Sequence, residues 1–394
     1  MRLTTLAMVF LALCALSFHV DAQAVQIFKF TESPGPYAVG LKVVEQYDRE
    51  RSFQGDADHQ GQSQRSEHSR PVQTLIWYPA QKTAAKPMTV MDYLNVTATE
   101  TSFGKPRLDQ DWKQNLADMA PALTQSSWAV RDASPVPGHF AVVIYAPGAG
   151  GLAPENFDLC EYLASHGYVV IASPSIGASA RDMKLDLAGV NAQARDISFL
   201  INYAQTLPDT DMSRLAVAGY SWGGLASLFA AARSNRVDAL VSIDGSLRYF
   251  PALVEQAGDV HPQQMKIPLL AFTQGDITLE DEQRYFKEAS QGPNVLNQWV
   301  HGDLVTVHVM GLAHQEFSAM NQRDEVMWQK VGYKDDYGRQ DGATGYALVA
   351  RYTLQFLDAY LKHDAAAMAY LKQAPAEHGV PAHTITVKFR PAKR

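Results

Sequence analysis

Only two cysteines occur in the 394 residues, Cys14 and Cys160. Past the first of them no intramolecular disulfide is possible, so the chain must be held by its core. A chain of this length buries about three quarters of its unfolded surface, and no staple is needed. Positive charge is also short: 34 Lys and Arg face 41 Asp and Glu, for a net charge of −7. No basic stripe or cluster is present to neutralise phosphates, which argues against nucleic acid as a partner. No apolar run reaches the roughly 20 residues that span a bilayer, so a stable membrane anchor is not expected. His301, His308 and His314 are spaced unlike any familiar zinc site, and neither a metal nor an organic cofactor is called for. Repeats and long linkers are missing too. Residues 25–394 therefore read as one domain.

What is present begins with a secretory signal over residues 1–24. Arg2 supplies the positive end, Leu3 to Phe18 is almost wholly apolar, and Val20-Asp21-Ala22 or Ala22-Gln23-Ala24 offers small residues for cleavage. Leu13, large where a lipoprotein signal carries a small residue, argues against lipid attachment at Cys14. The expected location is outside the cytoplasm, periplasmic or secreted. Cys160 lies in an amphipathic helical stretch and reads as a buried, inert thiol.

Val25 to about Ala80 predicts two strands, Val39–Val44 and Val72–Tyr78, joined by a polar loop from Arg51 to Arg70 that has little to bury. His59 and His68 in that loop read as solvated side chains. Residues 81–137 form an insertion with a helix at Asp111–Met119, expected over one sheet edge and a possible lid or roof for the site. From Phe140 the pattern is regular. Apolar strands at Phe140–Tyr145, Tyr168–Ala172, Arg214–Ala218, Ala239–Ile243, Pro268–Phe272 and Leu304–Val309 alternate with helices at Asn156–His166, Asn191–Leu207 and Tyr346–Lys362. Short apolar strands alternating with helices predict an α/β protein whose mostly parallel central sheet has helices on both faces.

Gly219-Tyr220-Ser221-Trp222-Gly223 lies between a predicted strand and a predicted helix, the context of a nucleophile elbow. Such a turn lifts the serine hydroxyl clear of the sheet, and residues two before and two after the serine collide unless they are glycine. The N–H groups at the start of the next helix, Trp222 first, face the place where an oxyanion would form. A serine hydroxyl needs a histidine to take its proton, and the histidine needs a carboxylate to orient it. In this architecture they follow in the order Ser, acid, His. His314 lies in a loop just past the last predicted strand and is the candidate base. His308 falls inside that strand, His301 lies at its wrong end, and His363 follows the last predicted helix. Two acids remain open by position: Asp244 ends the strand after the elbow helix, and Asp276 follows the next strand, where it also reads as a helix cap. Gly148, Gly150 and Gly151, after the strand ending at Tyr145, form either a tight packing loop or the second half of an oxyanion hole.

Tyr220-Ser221-Trp222-Gly223-Gly224, Ile243-Asp244-Gly245 and His314-Gln315-Glu316-Phe317, with Trp77-Tyr78-Pro79-Ala80 and the glycine-rich loop after Tyr145, resemble the plasma-type platelet-activating-factor acetylhydrolases. That family belongs, with the dienelactone hydrolases, to the α/β-hydrolase superfamily, and the likeness runs from about residue 36 to 363. The resemblance implies Ser221 as nucleophile, His314 as base and Asp244 as acid, the 23-residue Ser–Asp spacing matching the family's. It implies backbone oxyanion donors at Trp222 and Ala149, or at Gly148 or Gly150 if the loop is shifted, and a small-molecule or lipid ester as substrate. One departure is Pro147, where several members carry histidine. Two further expectations stand beside this one. A lipase or cutinase-like polyester hydrolase would favour Asp276 as the acid, and a hydrolase-fold binding protein would have no working site.

Overall fold

The computed structural model describes residues 27–54, 68–104, 106, 110–275, 284, 287–327 and 337–393. Residues 1–24, where a secretory signal is expected, and His59 and Asp276 lie outside the described residues. Ten strands form one sheet: β1 (Ala38–Phe53), β2 (His68–Ala80), β3 (Ala129–Arg131), β4 (Phe140–Ala146), β5 (Tyr168–Ala172), β6 (Thr210–Tyr220), β7 (Ala239–Ile243), β8 (Leu269–Gln274), β9 (Leu304–Val309) and β10 (Ile385–Arg390). Their order is β10-β9-β8-β7-β6-β4-β5-β2-β1-β3. The central run from β5 to β9 is parallel, while β2 joins β5, and β10 joins β9, antiparallel. This is an α/β-hydrolase fold.

The central strands are short and apolar because both faces are covered. Successive side chains point to opposite faces, and the two cores follow that alternation. Val143, Tyr145, Ala218 and Val241 pack with α3 (Phe157–Ser165) and the long α7 (Arg339–Leu361) on one side. Val142, Ile144, Val217 and Leu240 pack with α4 (Leu187–Ala204) and α5 (Trp222–Ala232) on the other. Between α5 and α7 comes α6 (Pro251–Ala257), also in the second core. A last short helix, α8 (Ala365–Lys372), precedes the edge strand β10. In that strand Ile385, Val387 and Phe389 alternate with polar residues, a strand pattern the sequence reading passed over.

The segment from Arg51 to Arg70 is a correction. At its described ends the expected loop is strand instead: β1 runs on to Phe53 and β2 starts at His68, and the two pair as a hairpin. Arg51 and Arg70, at its two ends, are held in an ion network rather than solvated, while His68 is exposed as expected. Arg70 is 0% exposed and gives two hydrogen bonds to the Asp196 carboxylate on α4, at 2.8 and 2.6 Å. It also donates to the backbone carbonyls of Ile176 and Gly177. Arg51 adds a third bond to Asp196 at 2.6 Å and reaches the Ala192 carbonyl. A buried carboxylate shared by two arginines, each with further acceptors, is a costly group to leave half-paired. Arg70→Ala is expected to destabilise the fold by about 3 kcal/mol, read as a lower midpoint in chemical denaturation; an unchanged midpoint would show the network to be dispensable.

Residues 81–137 build α1 (Val90–Thr97), α2 (Gln110–Asp118) and β3, which extends the sheet by pairing parallel to β1. Thr89 and Asp92 form a capping box that starts α1. Tyr93 of α1 stacks on Phe157 at 4.6 Å and donates a 2.5 Å hydrogen bond to the buried Glu161 of α3. Glu161 also accepts from the Trp128 backbone N–H. The segment is thus locked to α3 on one face of the sheet and adds one edge strand. No described helix is long and apolar enough to cross a membrane.

Candidate active site

Ser221 sits where β6 ends and α5 begins, with φ 51° and ψ −121°. A non-glycine residue in this region stores backbone strain and survives only where its surroundings fix it. They do so here: the Ser221 N–H donates to the Ile243 carbonyl at 3.1 Å, and the Ser221 carbonyl accepts from Ser246 and Gly224 at 2.7 and 3.0 Å. A Cβ at Gly219 would run into the backbone of Gly223, and one at Gly223 into the carbonyl of Ala146. Both positions flanking the serine therefore need glycine for space.

The imidazole of His314 lies between the other two groups. Its Nε2 is 2.8 Å from Ser221 Oγ, and its Nδ1 is 2.6 Å from Asp244 Oδ2. Asp244 follows β7 directly, and His314 opens a 3₁₀ turn (His314–Phe317) in the loop after β9. All three groups stand at the carboxyl ends of parallel strands, where loops converge in such sheets. Asp244 is 1% exposed. Its second oxygen, Oδ1, accepts from the Tyr249 hydroxyl at 2.7 Å and from the Gln274 backbone N–H at 3.2 Å. The carboxylate is thus fixed by three donors, and Oδ2 is the oxygen left for the histidine. Burial and the neighbouring Asp244 charge push the Tyr249 hydroxyl far up, so it stays a donor.

Tyr220 steadies the imidazole from the other side. Its ring stacks on His314 at 5.2 Å between centroids, and its hydroxyl donates to the His314 carbonyl at 2.9 Å. The ring of Tyr249 meets the imidazole edge-on at 6.2 Å. His308 is elsewhere: its Nδ1 is 2.6 Å from Thr273 Oγ1, and burial holds it below the usual histidine range. His301 and His363 are exposed.

The loop after β4 is tied down at several points. The Pro147 carbonyl accepts from Gln193 at 2.8 Å, the Gly151 carbonyl from the Ser175 N–H at 2.9 Å, and the Gly148 N–H donates to Glu155 Oε2 at 2.8 Å. That last bond removes Gly148 from the possible oxyanion donors. Among the described residues, the N–H groups of Ala149 and of Trp222, the first residue of α5, have no partner within the chain. Ala149 and Gly150 are exposed, and Gly150 takes φ 67°, a conformation that favours glycine.

The sequence reading singled out Ser221, Asp244, His314, Trp222 and Ala149, and the structure brings the first three into hydrogen-bond contact. It passed over Tyr249, Gln274 and Glu155. Glu155 precedes a helix and reads as an ordinary acid near a helix N-terminus, so no local pattern marks it. Tyr249 lies five residues past Asp244 with nothing in its surroundings to signal a bond back to it.

Residues 129–295 match the dienelactone hydrolase family model. No curated protein sequence matches the chain. Among solved structures, the chain is similar in fold to a ferulic acid esterase from Streptomyces cinnamoneus. The TM-score is 0.59 at 17% sequence identity, over 91% of this chain and 98% of that one.

Proposed function

We propose that this ester hydrolase, an α/β-hydrolase of dienelactone-hydrolase type, is an exported serine carboxylesterase in which Ser221 is the nucleophile, His314 the base and Asp244 the acid. The observation that carries the reading is the single imidazole of His314 bonded at once to Ser221 Oγ and Asp244 Oδ2. In the first half-reaction Ser221 Oγ attacks the ester carbonyl as its proton passes to His314 Nε2. Asp244 holds Nδ1–H, which fixes the tautomer and stabilises the imidazolium as it forms. The tetrahedral oxyanion is received by the Trp222 and Ala149 N–H groups, each such donor typically worth about 10²–10³ in rate. His314 then protonates the leaving alcohol. In the second half-reaction water, deprotonated by the same imidazole, releases the acid and restores the serine.

The substrate we infer is a small, accessible carboxylic ester, short-acyl or lipid-derived; the acetylhydrolase resemblance and the names of the matched family and the solved esterase all point to ester bonds. The bond between Asp244 and His314 favours this reading over the cutinase-like one that relied on Asp276. Export rests on the signal-like residues 1–24 and fits a chain whose one later thiol, Cys160, is buried. The test is an ester panel on purified protein, from acetyl to palmitoyl chains and including phospholipids, with fluorophosphonate labelling mapped by mass spectrometry. Turnover concentrated on short or phospholipid esters with label on Ser221 is expected. Label absent from Ser221 in protein with no turnover would return the fold to a binding role, and preference for long triglycerides or polyester films would mark a lipase or cutinase.

A further inference from the structure

Glu155 and Asn156, the two residues before α3, join the two loops on which the site depends. The Glu155 carboxylate accepts from the Gly148 N–H at 2.8 Å. Its other oxygen lies so close to Gly151 that a Cβ there would sit 3.0 Å from it. The Glu155 carbonyl accepts from the Met320 N–H at 3.0 Å and from the Ser318 hydroxyl at 3.3 Å, and Asn156 Oδ1 accepts from the Ala319 N–H at 2.8 Å. Ser318, Ala319 and Met320 directly follow the turn that carries His314. Asn156 is held in turn by the hydroxyls of Tyr145 and Tyr346. One dipeptide thus braces the loop bearing the Ala149 N–H and the loop bearing the base.

From this geometry we infer that Glu155 is a positioning residue for ester hydrolysis, whose ionised carboxylate fixes the Pro147–Gly148 peptide and so aims the next N–H along the loop, that of Ala149, at the oxyanion. The inference rests on the reading of Ser221, His314 and Asp244 given above. Carboxylate acceptors bind an N–H roughly twice as strongly as neutral ones, so a neutral side chain at 155 grips Gly148 less firmly. Facing the carboxyl are Tyr145 from β4, Tyr220 from β6 and His314 from the turn after β9. Burial pushes the Glu155 carboxyl up to about 7, against the opposing pull of the Gly148 N–H, His314 and the Tyr145 hydroxyl. The grip is therefore complete above that pH and weakens as pH falls through it, a proton counted in addition to the one His314 must be without to act as base.

The wild-type acid limb of log kcat/KM is thus expected to fall more steeply than one proton allows near neutral pH. Glu155→Gln should lower kcat by about tenfold or more with KM little changed. It should also weaken binding of a trifluoromethyl ketone, which adds Ser221 to give a tetrahedral oxyanion, by a similar factor. The same variant should return the acid limb to a single-proton slope. Rates are expressed per fluorophosphonate-titrated serine, so partial misfolding cannot mimic the result. A wild-type limb of one proton overturns the role even if the variant does not fold. So does a Glu155→Gln enzyme with wild-type kcat, ketone affinity and slope. A wild-type protein that neither hydrolyses esters nor takes label at Ser221 takes down the underlying reading with it; one that does both, with a one-proton limb, loses only the role of Glu155.

Discussion

Ser221→Ala is expected to cut hydrolysis of p-nitrophenyl acetate on the order of 10⁶-fold, while leaving the folded protein as stable as before. The hydroxyl is the one atom in the site that forms and breaks a bond to the substrate carbonyl, and no other serine shares its place beside His314 Nε2. Alanine keeps the Cβ, and therefore the same strain at φ 51°, so nothing in the elbow relaxes or clashes. Glycine at 221 offers a sharper contrast. It removes the same hydroxyl and also the steric cost of the positive φ, so Ser221→Gly should be equally inactive but more stable, by about 1 kcal/mol. Thermal melts and turnover measured on the three proteins check both halves. Retained activity in either variant would refute the nucleophile assignment.

Asp244→Asn carries the second-largest expected effect, a loss of about 10⁴ in kcat, and the structure says which way the new amide would face. Oδ1 already receives the Tyr249 hydroxyl and the Gln274 N–H. An asparagine must put its carbonyl oxygen there to keep both donors satisfied, which leaves its NH₂ against His314 Nδ1. The imidazole can then only accept at Nδ1, so its proton moves to Nε2 and faces Ser221. A base already protonated on the working nitrogen cannot take the serine proton. Asp276→Asn, by comparison, is expected to be mild. A mild Asp244→Asn with a severe Asp276→Asn would transfer the acid's role to Asp276.

What could be read ahead of the structure followed from burial. Strands β4 and β5 are uninterrupted apolar runs because both faces are covered, and such runs have unambiguous ends. The long β1–β2 hairpin was cut short because its outer halves are polar. Arg51, Arg70 and Asp196 look like surface residues one at a time and become core residues only when three distant segments meet. The same reasoning applies at the site. Ser221 announces itself through glycines that sterics require two residues to either side, and His314 through its place after a strand end. Asp244 and Asp276 occupied equivalent places at the ends of adjacent strands, so position alone left them level; the family resemblance separated them. Glu155 acts through a bond to a backbone N–H seven residues away and through its own carbonyl, neither of which any residue pattern records.

Cys160 sits in the middle of α3, 1% exposed, with burial and the neighbouring Glu161 and Asp158 pushing its thiol well above the usual range. An alkylating reagent reaches such a sulfur only when the helix leaves the sheet, because reactivity requires an accessible thiolate. Past residue 14 no second thiol exists to blur the signal. The molecule therefore carries its own stopwatch: the speed of iodoacetamide uptake in plain buffer counts how often the interior opens, without denaturant, heat or an added dye.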